Sequence, residues 1–298
     1  MDGFIAINKP KGITSHDAVA FARRRLKIRK IGHAGTLDPM ATGVLILGIG
    51  AATRLLEYVQ NTEKEYEAEI TFGATSTTDD AEGEIAPFPD AKKISRDEFE
   101  KILPEFVGTI HQIPPKFSAI KIAGESAHRL ARRGEEVKLK SREVEIHEIK
   151  VRNFDFPKCE ISVRCGSGTY IRSLARDLGA RIECGAHLSK LTRTRVGDFT
   201  LNKALPLKSI RSDKILPIEA GLTLPQIRLT RLEADKIQNG QKIPARTSDP
   251  LVAAFFENHF LAILSREEAK HSLRPEKVFA KNLPAEKLVE FATRKIRG

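Results

Sequence analysis

Cysteine is scarce, with only Cys159, Cys165 and Cys184 in 298 residues. So small and odd a number in a long chain argues against a disulfide scaffold and predicts a reducing, cytoplasmic setting. No C-x-x-C pair occurs, and Cys184 and His187, three apart, lack the further ligands a zinc site needs. Long apolar runs are also missing. The stretch 44–49 is interrupted by Gly48 and is far shorter than the ~18 residues of a membrane span. Residues 1–6 lack the basic-then-apolar order of a secretory leader. There is no G-x-x-x-x-G-K-[ST] loop, and Gly48-Ile49-Gly50 lacks the third glycine and the downstream acid of a dinucleotide site. Internal repeats and low-complexity tracts are absent as well.

What the chain does have is positive charge. Lys and Arg total 50 against 39 acids, a formal net charge of +11. That balance favours a polyanionic partner, nucleic acid above all. The basic residues cluster at 23–30, at 116–142 and at 164–195, whereas acids concentrate in 57–69 and 79–105. Charge runs are often only solvated faces. Three clusters beside loop-like segments predict a basic face for phosphate contacts.

Hydrophobic residues at 41% and a length near twice ~150 predict two folded domains. Residues 4–8 read as a strand before the turn Lys9-Pro10-Lys11-Gly12. Apolar spacing predicts a helix over Ser15–Leu26 with Ser15 as its N-cap, followed by a loop over 31–43. Alternation at 65–72 predicts a half-buried strand, with Tyr66, Ala68, Ile70 and Phe72 on one face. Ser95 and Glu98 have capping-box spacing for a helix over 95–103. Further strands are expected at 116–122, 144–156 and 159–165, with helices at 126–133 and 170–178, the latter closed by Gly179. The texture changes near 220–225. Beyond it, 251–256 and 259–264 are expected to pair as strands across Glu257-Asn258. The expected domains are 1–222 and 223–298.

The loop Gly32-His33-Ala34-Gly35-Thr36-Leu37-Asp38-Pro39-Met40-Ala41-Thr42-Gly43 stands apart. An aspartate in a loop is usually a turn residue. Here Pro39 biases Asp38 away from helix, glycines permit close backbone approach, and basic residues lie just upstream. This loop resembles the catalytic motif of the bacterial-type tRNA pseudouridine-55 synthases, the TruB family of pseudouridine synthases. The resemblance extends to Ile7-Asn8-Lys9-Pro10-Lys11-Gly12-Ile13-Thr14-Ser15, to Lys64-Glu65-Tyr66, and to the segment from Gln112 to Lys121. Gly168-Thr169-Tyr170-Ile171-Arg172-Ser173-Leu174 and Cys184-Gly185-Ala186-His187-Leu188 complete it, so that it covers about 4–197. The chain departs from the pattern at Ala34 and Thr36, where other members carry Thr and Ala, and at Phe117, where Tyr is familiar.

The resemblance implies an α+β pseudouridine-synthase fold: a central mixed, mainly antiparallel sheet flanked by helices and loops, plus a small β-rich, PUA-like RNA-binding domain at the C-terminus. It implies isomerisation of the T-loop uridine of tRNA, flipped out of its stack, without cofactor or metal. Asp38 would be the catalytic acid, and Arg172 would hold its carboxylate ionised and oriented. Tyr66 would stack on the uracil, Tyr170 would line its pocket, Leu191 would pack against it, and Lys9 would lie near the floor. His33 would fill the space vacated by the flipped base or stack on the loop. On residue type alone, Tyr66 and Leu191 fit ordinary core, Arg172 a solvated helix start, and His33 a loop anchor. The segment 121–140 would clamp the T loop. The expected partner is the tRNA T stem-loop, bound by a cytoplasmic monomer needing neither membrane nor a protein partner. Two alternatives are a guide-RNA-dependent rRNA pseudouridine synthase subunit and a non-catalytic tRNA-binding or folding protein.

Overall fold

A computed structural model describes residues 1–118 and 139–279, together with positions 121, 122, 125, 126, 130 and 133. The chain divides into two compact units, Met1–Gly221 and Leu222–Gly298.

In the first unit, β1 (Gly3–Lys9) and β3 (Thr42–Ile49) are buried at nearly every position. Continuous rather than alternating apolarity is the pattern of strands covered on both faces. They pair antiparallel along their whole length, from Gly3 opposite Ile49 to Lys9 opposite Gly43. Between them run α1 (Ser15–Leu26) and β2 (Ile31–Ala34). The 31–43 segment is therefore not all loop: β2 pairs with β3, from Ile31 opposite Ile49 to Ala34 opposite Ile46. Its burial has no alternation to read, because its second residue is Gly32, where a Cβ would fall 2.9 Å from the Leu56 side chain of α2 (Leu56–Gln60).

Next comes β4 (Lys64–Phe72), buried at Tyr66, Ala68, Ile70 and Phe72 as its alternation predicts. The short pair β5 (Ala74–Ser76) and β6 (Ile85–Pro87) precedes α3 (Arg96–Ile102), whose Ser95–Glu98 capping box is present. Then follow β7 (Gly108–Gln112), the two-residue strands β8 (Lys121–Ile122) and β9 (Glu125–Ser126), β10 (Arg142–Asp155) and β11 (Lys158–Cys165). Where a strand was expected over 116–122, only Lys121–Ile122 is strand among the described residues. Most of the expected helix at 126–133 and most of the 121–140 segment lie outside the described residues, and Ser126, where that helix was expected to begin, is strand.

The helix α4 (Ile171–Arg181) buries Ile171, Leu174, Ala175 and Leu178 at helical spacing. It runs past Gly179, which is not the closing residue. A Cβ on Gly179 would lie 2.3 Å from the Ala186 nitrogen, so glycine serves close packing there. After it come β12 (Ala186–Val196), β13 (Phe199–Thr200) and β14 (Leu205–Pro206). The main sheet runs β14-β1-β3-β12-β4-β11-β10-β7, with β13 on β12 and β2 on β3. Only β1–β14 and β12–β3 are parallel. The three cysteines are buried and free.

The described residues of the second unit form one sheet, ordered β15 (Gln226–Leu229), β17 (Leu251–Phe256), β18 (His259–Glu267), β19 (Ser272–Val278) and β16 (Ile243–Pro244). β17 and β18 pair antiparallel across the turn at Glu257, whose φ is 52°. The helix α5 (Arg231–Gln238) has a Thr230–Glu233 capping box and buries Ala234 and Ile237 in the core of this sheet.

Candidate active site

The site forms where β3, β12 and β4 run side by side and the 35–43 segment enters β3. Asp38 precedes Pro39 in this segment. Its carboxylate meets the Arg172 guanidinium twice: Nη2 donates to Oδ1 at 3.2 Å, and Nε lies 3.0 Å from Oδ2. Asp38 keeps 32% of its side-chain surface exposed, against 5% for Arg172. The anion thus faces outward while its counter-ion is held below. Desolvation raises the Asp38 pKa above the usual carboxylate value and nearby Asp80 adds to this, while Arg172, Lys9 and Arg193 oppose it.

Arg172 stands on the first turn of α4 and is over-determined. Besides Asp38 it donates to Thr78 O at 3.2 Å and to Phe117 O at 3.0 Å, and its Nη1 lies 3.4 Å from Asp80 Oδ2. Asp80 is itself almost wholly buried, and its Oδ1 accepts from Thr78 Oγ1 at 2.6 Å and from the Glu82 amide at 2.9 Å. A guanidinium locked between two carboxylates and two carbonyls has no freedom to turn from Asp38.

Two further residues fix the loop from behind. Ser15 is fully buried; its hydroxyl donates to Leu37 O at 3.0 Å and accepts from the Leu37 amide at 2.9 Å, one residue before Asp38. Ser15 is not the N-cap of α1. That role falls to Thr14, which exchanges capping-box bonds with Asp17. Lys9 is likewise fully buried and donates to Ile13 O at 2.8 Å, Pro10 O at 2.9 Å and Pro39 O at 3.4 Å. Burial brings its pKa down to about 8.

Tyr66 lies on β4, 8% exposed, directly opposite Arg193 of β12. Burial raises its phenol pKa, keeping it neutral. Leu191 is buried on β12 opposite Ala68, two positions along β4 from Tyr66. Tyr170 directly precedes α4. Its amide donates to Gln112 Oε1 at 2.8 Å, its carbonyl accepts from Gln112 Nε2 at 3.1 Å, and the Arg142 guanidinium lies 4.9 Å from its ring centre. His33, on β2, meets His16 edge-on at 5.3 Å between ring centres. Burial, with His16 and Arg193, lowers its pKa to about 4, so it is neutral at physiological pH. Its Nδ1 is buried without a hydrogen-bond partner among the described residues.

Asp38 and Arg172 are thus in direct contact. Lys9 reaches the loop through Pro39 O, and Tyr66 and Leu191 share adjoining strands. Asp80, Ser15 and Arg193 carry no site signal in the sequence. Asp80 sits in an acidic, turn-rich stretch that reads as a solvated loop. Strand phase from Leu191 puts Arg193 and Arg195 of Lys190-Leu191-Thr192-Arg193-Thr194-Arg195 on one face, and only the register shift between them in the pairing with β4 leaves Arg193 as the buried one. Among the described residues, no group of three or more His, Cys, Asp or Glu is placed to hold a metal ion.

Comparison with known proteins places the chain in a family. Residues 23–171 match the TruB family pseudouridylate synthase (N terminal domain), and 172–222 match the tRNA pseudouridylate synthase B C-terminal domain. A tRNA pseudouridine synthase B of Thermobifida fusca (strain YX) is 44% identical over 291 residues, covering 94% of this chain and 99% of that protein. One from Nostoc sp. (strain PCC 7120 / SAG 25.82 / UTEX 2576) is 44% identical over 82% of this chain and 86% of its own length. Among solved structures, a Cbf5-Nop10-Gar1 complex contains a chain that superposes with a TM-score of 0.74 at 25% identity, covering 93% of this chain and 85% of that one. The α+β pseudouridine-synthase fold and the extent of these matches show that the chain belongs to the TruB family of pseudouridylate synthases.

Proposed function

We propose that the chain isomerises the uridine at position 55 of the tRNA T loop to pseudouridine. The observation that carries this reading is the outward-facing Asp38 carboxylate held by a buried Arg172, in a chain whose 44%-identical relatives are named for this class of reaction. The reaction breaks the N1–C1′ bond, turns the uracil within the site and forms C5–C1′, with the C5 hydrogen lost as a proton and one gained at N1. Substrate and product are isomers, so the balance requires no added group or electrons.

Asp38 is the catalytic residue, meeting the sugar or the base as the glycosidic bond breaks. Arg172 orients its carboxylate and favours its ionised form against desolvation. A base inside a folded loop must be extracted from its stack before Asp38 can reach it. Tyr66 supplies a neutral aromatic face for the flipped uracil, with Leu191 and Tyr170 bounding the pocket. His33 fills the vacated space or stacks on the loop; as a neutral ring it does so without adding charge. Lys9 closes the floor beneath Pro39. The surrounding basic surface holds phosphates, and the unit Leu222–Gly298 serves as a PUA-like RNA-binding domain. The chain acts as a cytoplasmic monomer, without a guide RNA or protein partner.

The test is to incubate the purified chain with an unmodified tRNA transcript and map pseudouridine by carbodiimide modification and primer extension. A single new stop at position 55 is expected. Tight binding with every uridine unchanged would mean a binder, and activity that appears only with an added guide RNA would mean a guide-dependent subunit.

A further inference from the structure

One buried cation has no part in the chemistry described so far. Arg193 is 2% exposed and is the largest of the fully buried side chains. We propose that Arg193 is a positioning residue that ties the segment carrying Asp38 to the Tyr66 side chain, so that the groups on the two sides of the reacting uridine keep a fixed separation. This rests on the uridine-isomerising reading above.

The geometry begins with the backbone. Arg193 pairs with Gly43 on the parallel neighbour β3 and with Tyr66 on the antiparallel neighbour β4. A Cβ at Gly43 would lie 2.2 Å from Arg193 O, so the strands approach this closely only because residue 43 is glycine. The side chain then spans the loop. Nε donates to Val44 O at 2.8 Å and Nη2 donates to Gly35 O at 3.0 Å. These two carbonyls bracket the segment that bears Asp38. Gly35 has φ of 74°, and a Cβ there would come within 3.3 Å of Arg193 Nη1. Because Arg193 and Tyr66 are directly opposed, their side chains share one face, with Cβ atoms about 4.5–5.5 Å apart. On that shared face the Arg193 charge opposes the rise that burial imposes on the phenol pKa.

An apolar side chain would fill this space without the cost of burying a charge. A planar cation is the better choice where two acceptors, Val44 O on β3 and Gly35 O at the head of the loop, must be held in one geometry, and a lysine cannot reproduce that fork. The same charge also favours the neutral forms of Lys9 and His33 and the ionised form of Asp38.

Two readouts on Arg193→Lys test the proposal. The chain has three tyrosines, Tyr58, Tyr66 and Tyr170, so ring-13C tyrosine labelling gives three phenol signals, assigned with Tyr66→Phe. The proposal expects the Tyr66 Cζ signal to move while those of Tyr58 and Tyr170 stay. It also expects the single-turnover rate on a tRNA transcript to fall at least tenfold, with the transcript Kd changed less than threefold. An unmoved Tyr66 signal, or a rate within twofold of the parent, would overturn it. Should Arg193→Lys fail to fold, Tyr66→Phe gives the converse measurement. Losing the hydroxyl must shift the Arg193 guanidinium 15N signals, and unshifted signals would count against the link. An inactive parent protein would instead sink the uridine-isomerising reading, while the NMR measurements would still decide whether Arg193 holds Tyr66.

Discussion

The two units of the chain bury very different things. Of the twelve buried polar or charged residues described, eleven lie in Met1–Gly221 and one, Glu233, lies in Leu222–Gly298. Glu233 completes the capping box of α5, so the second unit buries polarity only where its own helix start requires it. In the first unit, Lys9, Ser15, Asp80, Arg172 and Arg193 surround the segment that carries Asp38. A sheet with an apolar core forms in the second unit without such groups. Buried charge is costly, so its concentration around one loop marks where the chain gives up stability for chemistry.

This contrast can be broken from either side. The largest effect is expected of Arg172→Met. It leaves Asp80 buried without its counter-ion and frees Asp38, so stability should fall by about 3–5 kcal/mol and turnover by roughly a hundredfold or more. Denaturant unfolding and single-turnover kinetics measure the two separately. Leu264→Ala, in the apolar core of the second unit, should destabilise that unit by about 2–5 kcal/mol. Its single-turnover rate at saturating tRNA should match the parent, with any loss confined to affinity. A fall in that rate would bring the second unit into the chemistry.

Ser15→Ala is a smaller step. Both bonds to Leu37 are lost, and the buried carbonyl and amide left unpaired cost about 1–3 kcal/mol. The rate should fall several-fold through a loosened Asp38, with tRNA affinity unchanged in a filter-binding assay. A more gradual effect, spread over pH, concerns Lys64, which is buried and donates to Gln60 O and Thr62 O. Burial lowers its pKa to about 8. The unfolded chain keeps this proton up to the ordinary lysine value, so the group favours folding progressively as pH rises from about 8 toward 10.5. The change is at most about 1.4 kcal/mol per pH unit. Lys64→Met should flatten the slope of unfolding free energy against pH across that window.

The same contrast explains what could be read from the sequence. Periodicity located β4 and β11 because each has one wet and one dry face. The Ser95–Glu98 capping box was legible because both bonds are local. The 31–34 strand is not legible because a short strand containing a glycine has no alternation. Ser15 reads as the helix start because its neighbour Thr14 has equivalent chemistry, and only tertiary packing shows that the Ser15 hydroxyl faces Leu37 instead. Gly179 has the look of a helix end, but it is held within α4 by contact with residue 186, which no local pattern encodes. Asp38 stood out through its unusual loop. Asp80 and Arg193 did not, because what distinguishes them is their burial.

In the proposed reaction Asp38, held by Arg172, is the reacting group. The most direct test is tritium release from a transcript labelled at uracil C5, comparing the parent with Asp38→Asn. The account predicts about one equivalent released by the parent, none by Asp38→Asn despite parent-like tRNA binding, and none from a transcript lacking the T-loop uridine. Release by Asp38→Asn at the parent rate would remove Asp38 from the chemistry and contradict the account.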